Sequence, residues 1–193
     1  MTDGAAGTRA AIMEATFEAL SKHGYADLTI QTIADEFDKS KSLLYYHYET
    51  KDDLLGDFLG FVLEEFGAQV EADEEADPET RLWTVIELLL PPDLDEDEEA
   101  RRLRTALFEL RMQAPYDEAY ADRFAATDER MVAVVESVLE AGVEEGVFDV
   151  DPGTGAELLV DAVTGATLRA VTTGTPARTA LEPVEALVES FRA

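Results

Sequence analysis

Between Leu28 and Leu55 the chain reads LTIQTIADEFDKSKSLLYYHYETKDDLL, and this stretch constrains the fold more than any other. Ile30, Ile33, Ala34 and Phe37 recur at i, i+3, i+4 and i+7, the stripe of a helix packed on one face. Thr29 stands just before the stripe as an N-cap. Asp38-Lys39 breaks the pattern, Ser40 offers a second N-cap hydroxyl, and Lys41 to Tyr48 forms another short helix. On that helix Leu44 and Tyr48 share one face, while Ser42, Tyr45, Tyr46 and Glu49 lie on the other. Two outward tyrosines beside Lys41 and His47 make a poor solvated surface and a good one for meeting bases and phosphates. A helix pair joined by a polar turn is common in all-α proteins, so spacing alone carries the reading only this far.

The particular residues carry it further. Gly24-Tyr25, Thr29, Ile33-Ala34, Ser40-Lys41, Leu44-Tyr45-Tyr46-His47-Tyr48 and Lys51-Asp52-Asp53-Leu54-Leu55 stand in one register without gaps. In this, residues 8 to 55 resemble the DNA-binding domain of the TetR family of transcriptional regulators. Asp38-Lys39 departs from the family pattern, which has a glycine and an apolar residue there. Asp38 is expected to take a left-handed turn conformation at modest cost, and Lys39 to reach outward toward a phosphate.

The chain in order reads as all-α, with about nine helices and no strand pattern. Residues 1 to 7 are a short polar tail. Thr8 caps a helix with the stripe Ile12, Ala15, Thr16, Ala19 and Leu20, which Gly24 ends. After the helix pair, Thr50-Lys51-Asp52-Asp53 is a capping-box-like start. It opens a helix carrying Leu54, Leu55, Phe58, Leu59, Val62, Leu63 and Phe66 to about Glu71. An acidic loop, 72 to 78, precedes a helix over 80 to 90 with Trp83, Ile86 and Leu90 directed inward. Pro91-Pro92 stops it. Further helices follow at about 96 to 113 (Leu103, Leu107, Leu110) and 116 to 145, frayed at Gly142 and Gly146. A small-residue stripe of Leu159, Ala162, Val163, Ala166, Thr167 and Ala170 marks the next. The last helix, about Glu182 to Phe191, turns Val184, Leu187, Val188 and Phe191 one way.

Two domains are expected: 1–55, a three-helix unit with the helix-turn-helix at about 29–48, and 56–193, a larger helical domain. The acidic side chains are unevenly divided between them. The net charge is −28, from 43 acidic and 15 basic residues. Residues 1 to 55 hold five basic and ten acidic groups, net −5, leaving ten and 33, net −23, for the remainder. All four lysines, Lys22, Lys39, Lys41 and Lys51, lie in the first part. Abundant Asp and Glu with scarce Lys resembles proteins of extremely halophilic organisms. In about 1 M salt the Debye length is roughly 3 Å, so repulsion from DNA is largely erased. A protein of that kind gains stability from molar KCl; one equally stable in low salt contradicts the reading.

Missing residue types exclude chemistry. There is no Cys, and His occurs only at 23 and 47. Disulfides, Cys- or His-based metal sites, Ser-His triads and Cys-His catalysis are therefore excluded from residues 56 to 193. No Gly-rich phosphate loop is present. The expectation is a protein that is not an enzyme and needs no cofactor or metal. Without a leader-like segment or a membrane-length apolar run, it is expected in the cytoplasm and not in a membrane.

The resemblance implies the rest. It implies a homodimer whose last two helices pair with those of a second subunit, through Leu159, Ala162, Val163, Ala166, Ala170, Val184, Leu187, Val188 and Phe191. The same residues would equally suit an internal core. A dimer suits a palindromic operator of double-stranded DNA, with two recognition helices in successive major grooves. The contacts expected are Lys41 and Ser42 at base edges or nearby phosphates, Tyr45 and Tyr46 at bases and backbone, and Thr29, Lys39, His47 and Lys51 at phosphates. The larger domain is expected to enclose a small-molecule effector that releases the repressor. Its candidate lining is Phe58, Phe61, Trp83, Leu107, Phe108, Arg111, Met112, Tyr116, Tyr120 and Phe124. That set suits an apolar ligand with an anionic group, although each residue singly suits plain core packing. The rival reading is a ligand-binding or scaffold protein with a vestigial DNA-binding unit, favoured by the −5 charge and the Asp38-Lys39 turn.

Overall fold

The structure, a computed structural model, describes residues 3–72 and 76–193, with side chains for 7–62, 64–65, 67–70 and 76–193. The side chains of Leu63 and Phe66 of the expected stripe, and positions 73–75 of the expected acidic loop, thus lie outside what is described. The described chain is helical: α1 (Asp3–His23), α2 (Ile30–Glu36), α3 (Lys41–His47), α4 (Lys51–Ala72), α5 (Pro78–Leu89), α6 (Glu98–Arg111), α7 (Glu118–Glu144), α8 (Pro152–Thr173) and α9 (Ala177–Glu189). A 3₁₀ turn spans Ala114–Tyr116 between α6 and α7. An isolated antiparallel bridge joins Phe148 and Arg192. The chain divides into two compact units, one of residues 1–62 and 99–124, the other of 63–98 and 125–193.

In the first unit, α1 already runs from Asp3, so Thr8 lies inside the helix and does not start it. Gly24 ends α1 at φ +69, a conformation that disfavours a side chain, with its N–H on the Leu20 carbonyl at 2.8 Å. The apolar stripes of α1 to α4 meet in one core that includes Ile12, Leu20, Ile33, Leu44, Leu55 and Phe58, joined by Ala106, Leu110, Tyr120 and Phe124. Leu44 is fully buried, which contributes about 2–3 kcal/mol and fixes which side of α3 faces outward.

The second unit is built on α8 and α9, which pack together, with α5 against α8. Asp77 and Asp151 cap α5 and α8, each accepting at 3.0 Å from the N–H three residues on, and proline stands at the first position of both helices. Gly174 ends α8 at φ +67. The last helix begins at Ala177, five residues before the expected Glu182, so Pro183 lies inside it. The residues expected at a subunit interface lie mainly within the protomer. Leu159, Val163, Ala166, Ala170, Val184, Val188 and Phe191 are buried, and Ala162 and Leu187 are half-buried. The small side chains of α8 admit α9 of the same chain, and that close approach consumes the stripe. The large apolar residues left exposed on α8 are Leu158 and Leu168.

Gly142 lies in the last turn of α7, which ends at Glu144. A Cβ there would lie 2.2 Å from the ring of Phe148, itself 2% exposed. The N–H groups of Val147 and Phe148 both bond the Gly142 carbonyl, which holds that ring in place. Gly142→Ala is therefore expected to destabilise the protein. Overpacking costs about 1–3 kcal/mol, against up to about 1 kcal/mol gained from removing a helical glycine. A thermal melt in molar KCl checks this, and an unchanged or raised midpoint contradicts it.

Candidate nucleic-acid interface

The local chemistry of α2 and α3 builds the site. Thr29 caps α2 reciprocally: its hydroxyl accepts from the Thr32 N–H at 3.1 Å, and its own N–H donates to the Thr32 hydroxyl at 2.9 Å. Ile33 and Ala34 anchor α2 in the core, and Phe37 ends it in an extended conformation, φ −85 and ψ 111. The turn needs no left-handed residue. Among the described residues only glycines have positive φ, so the conformation expected of Asp38 is not used. Lys39 turns back to donate to the Gly7 carbonyl at 3.0 Å.

Ser40 occupies the N-cap position of α3 by its backbone, its carbonyl accepting from the Leu43 N–H at 2.8 Å. Its hydroxyl makes no capping bond and instead pairs with that of Ser42 at 2.6 Å. The helix closes at His47, with Tyr48 as its C-cap bonded to the Leu44 carbonyl at 3.0 Å. Opposite the buried Leu44, Tyr46 is 83% exposed and Tyr45 43%; Lys41, Ser42 and His47 are exposed as well. The Tyr46 and His47 rings meet edge to face, 5.5 Å between centroids. Lys51 opens α4 with its ammonium 4.3 Å from the centre of the Tyr25 ring. Thr50 caps that helix, accepting from the Asp53 N–H at 3.1 Å.

Two polar networks hold this face, and neither was read from the sequence. On the surface, Lys41 forms an ion pair with Asp35, which also accepts from the Gln31 side chain at 3.0 Å. Gln31 in turn accepts from the Tyr45 hydroxyl at 3.1 Å. The bond from Lys41, then that from Gln31, lowers the Asp35 carboxyl below its ordinary pKa. The i, i+4 spacing of Gln31 and Asp35 was the signal available for this network. Deeper in, Asp57 of α4 accepts from Arg9 of α1 at 2.7 Å and from the Tyr48 hydroxyl. The Arg9 bond is the first cause of a lowered Asp57 pKa, while burial, then Asp57, raises that of Tyr48. This network ties the end of α3 to α1 and α4, which sets how the reading face is carried.

Nine residues of the expected effector lining fall in the first unit and Trp83 in the second. Phe58, Tyr120 and Phe124 belong to the core of the first unit, with Phe61 and Leu107 packed against it. The Tyr120 hydroxyl donates to Asp52 at 2.8 Å, and the Arg111 guanidinium lies 5.2 Å from the Phe124 ring centre. Phe108 is half-buried, whereas Met112 and Tyr116, at the end of α6 and in the 3₁₀ turn, are 64% and 88% exposed. Trp83 is half-buried in the second unit. A shallow groove in that unit, between the end of α5 and Arg178, is lined by none of the expected residues. Among the described residues, no group of His, Cys, Asp and Glu is arranged to hold a metal ion. No described helix is long and apolar enough to cross a membrane.

Comparison with known proteins agrees with this geometry. Residues 12–57 match the family model described as bacterial regulatory proteins, tetR family, and residues 78–193 match that of the BetI-type transcriptional repressor, C-terminal. Among solved structures, a TetR transcription regulator from Haloarcula marismortui is similar at 39% identity and TM-score 0.83, covering 97% of this chain and 100% of that one. A Rhodococcus sp. protein described within the same family has the same fold at 22% identity and TM-score 0.80, covering 96% and 98%. So has a Saccharomonospora viridis protein solved in complex with choline, at 22% identity and TM-score 0.75, covering 95% of each chain. No match was found among curated proteins.

Proposed function

This chain belongs to the TetR family of transcriptional regulators, and from that premise we propose that it is a homodimeric repressor released from a palindromic operator by a small molecule. The observation that carries the reading is Tyr46, 83% exposed on a seven-residue helix whose opposite face is locked into the core by Leu44. A large amphipathic ring held out from a rigid helix suits the major groove. Residues 1–55 engage DNA, and 56–193 bind the effector and join the subunits. Lys41 and Ser42 reach base edges or adjacent phosphates, Tyr45 and Tyr46 contact bases and backbone, and Thr29, Lys39, His47 and Lys51 hold phosphates. Two copies of α3 enter successive major grooves about 34–36 Å apart, and bound dimer excludes the transcription machinery. Binding alone suffices for this role, without catalysis, wherever the chromosome lies: the cytoplasm.

The dimer face consists of the exposed side of α8, with Leu158 and Leu168 at its centre and the half-buried Ala162 beside them. The effector is an apolar molecule with an anionic group, suited to Phe61, Leu107 and Phe108 near Arg111. The choline complex of the same fold is a precedent for a small-molecule ligand, not for its charge. The net charge of −28 suits operation in molar salt, where repulsion from DNA is screened.

The second reading, a ligand-binding protein with a vestigial DNA-binding unit, is favoured by the occupied lysines of that unit. Fluorescence anisotropy in molar KCl, on DNA from the protein's own promoter region and on fragments the protein selects from its genome, separates the two. Saturable, sequence-dependent binding by a dimer supports the repressor. Failure with both sources of DNA supports the vestigial unit.

A further inference from the structure

We propose that Asp35 acts as an internal phosphate mimic that withholds Lys41 from the DNA backbone, so that Asp35 sets the strength and salt dependence of DNA binding. The inference rests on the DNA-binding reading above. All four lysines of the chain lie in the DNA-binding unit, and each is already engaged. Lys22 pairs with Glu18 at 3.2 Å and Glu36 at 2.6 Å, Lys39 bonds the Gly7 carbonyl, and Lys51 lies over Tyr25. Lys41 alone of them belongs to α3, at its leading turn, and its partner is a carboxylate from α2. That carboxylate is not a loose neighbour. Gln31 donates to it at 3.0 Å, and Tyr45, itself on the reading face, donates to Gln31 at 3.1 Å. The chain Tyr45–Gln31–Asp35–Lys41 therefore crosses from α3 to α2 and back, holding an anion where a phosphate oxygen would otherwise stand.

The consequence follows from what phosphate contacts do. Lysines that neutralise phosphates release condensed cations, and this sequence-independent effect supplies nearly all non-specific affinity. A lysine that leaves one anion for another releases less. Masking Lys41 thus lowers affinity for any duplex, the operator included, by about the same factor, because a phosphate contact carries no sequence information. In molar salt, where phosphate attraction is already weak, that loss is small.

The test measures affinity against KCl concentration for a duplex the protein selects from a random pool and for a mixed-sequence duplex of the same length. Asp35→Asn is expected to steepen the fall of affinity with salt by nearly two ions per dimer, about a tenfold greater loss over a fourfold rise in KCl. The ratio between the two duplexes is expected to stay the same, since a phosphate contact carries no sequence information. In a Lys41→Gln background, Asp35→Asn is expected to change neither slope nor ratio. Equal slopes for the wild type and Asp35→Asn overturn the masking and leave an ordinary surface ion pair. An Asp35→Asn effect that persists in Lys41→Gln also overturns it, assigning the effect to direct repulsion of DNA by Asp35. If no duplex is enriched from the pool, the DNA-binding reading falls and this inference falls with it.

Discussion

Tyr46→Ala is expected to lower operator affinity by about 30-fold to 10⁴-fold while leaving the fold and the dimer intact. The ring is 83% exposed and meets the His47 ring edge to face, 5.5 Å between centroids. Truncation removes nothing from the core, so stability should move by no more than about 0.5 kcal/mol. In the proposed complex the ring would contact base edges, where one such contact contributes about 1–3 kcal/mol. A dimer loses two of them, about 2–6 kcal/mol, which at about 1.4 kcal/mol per tenfold gives the range stated. Anisotropy on the selected duplex in molar KCl reads the loss, and sedimentation reads the dimer. Unchanged affinity refutes the assignment of Tyr46. A dimer that dissociates shows instead that the residue supports assembly.

Phe58→Ala is expected to destabilise the first unit by about 3–5 kcal/mol, whereas Met112→Ala and Tyr116→Ala each change stability by no more than about 0.5 kcal/mol. All three were expected along an effector pocket, and the structure separates them by burial. Phe58 is fully buried in the shared core of α1 to α4, so its loss leaves a cavity that the packed neighbours cannot close. Since a domain is stable by only about 5–15 kcal/mol in total, that loss is a large fraction of what holds the unit together. Met112 and Tyr116 face solvent and have little to lose. Thermal and denaturant melts in molar KCl distinguish the cases. A loss below about 1 kcal/mol at Phe58 means the side chain borders open space, which supports its place along an effector pocket. The same melts, repeated with a panel of small molecules, test the ligand class. Stabilisation by apolar anions supports it, and stabilisation by cationic compounds alone contradicts it.

The fold class and the reading face were legible because both are written in short-range patterns. Of the i, i+3, i+4, i+7 stripe, Ile33 and Ala34 are the buried residues of α2, the C-cap Phe37 is buried with them and Ile30 packs half-buried against the same core, while Leu44 is the buried residue of α3. With those sides fixed, helical geometry alone turns Tyr45 and Tyr46 outward. The caps at Thr29 and Thr50 were equally readable, because the donor and acceptor stand three residues apart. Thr8 and Ser40 show where cap chemistry misleads: a hydroxyl near a helix start is a candidate, and the backbone decides whether it is used.

What required the tertiary structure is the set of contacts between residues far apart in the chain. Arg9 and Asp57 are 48 positions apart, and nothing in either neighbourhood says that they meet. On a chain carrying 43 carboxylates, no single Asp stands out as a partner for Arg9, Lys41 or Tyr48. Only packing selects Asp57 and Asp35. The destination of the α8 stripe is the same kind of fact. Periodicity shows that Leu159, Val163, Ala166 and Ala170 share a face, but an apolar face is equally satisfied by another helix of the same chain or by one of a second subunit. Their helical spacing alone makes these residues leave water together and keeps Tyr46 in it. The tertiary structure decided which surface they meet, because burial is non-directional and the path of the chain is what brings α9 against α8.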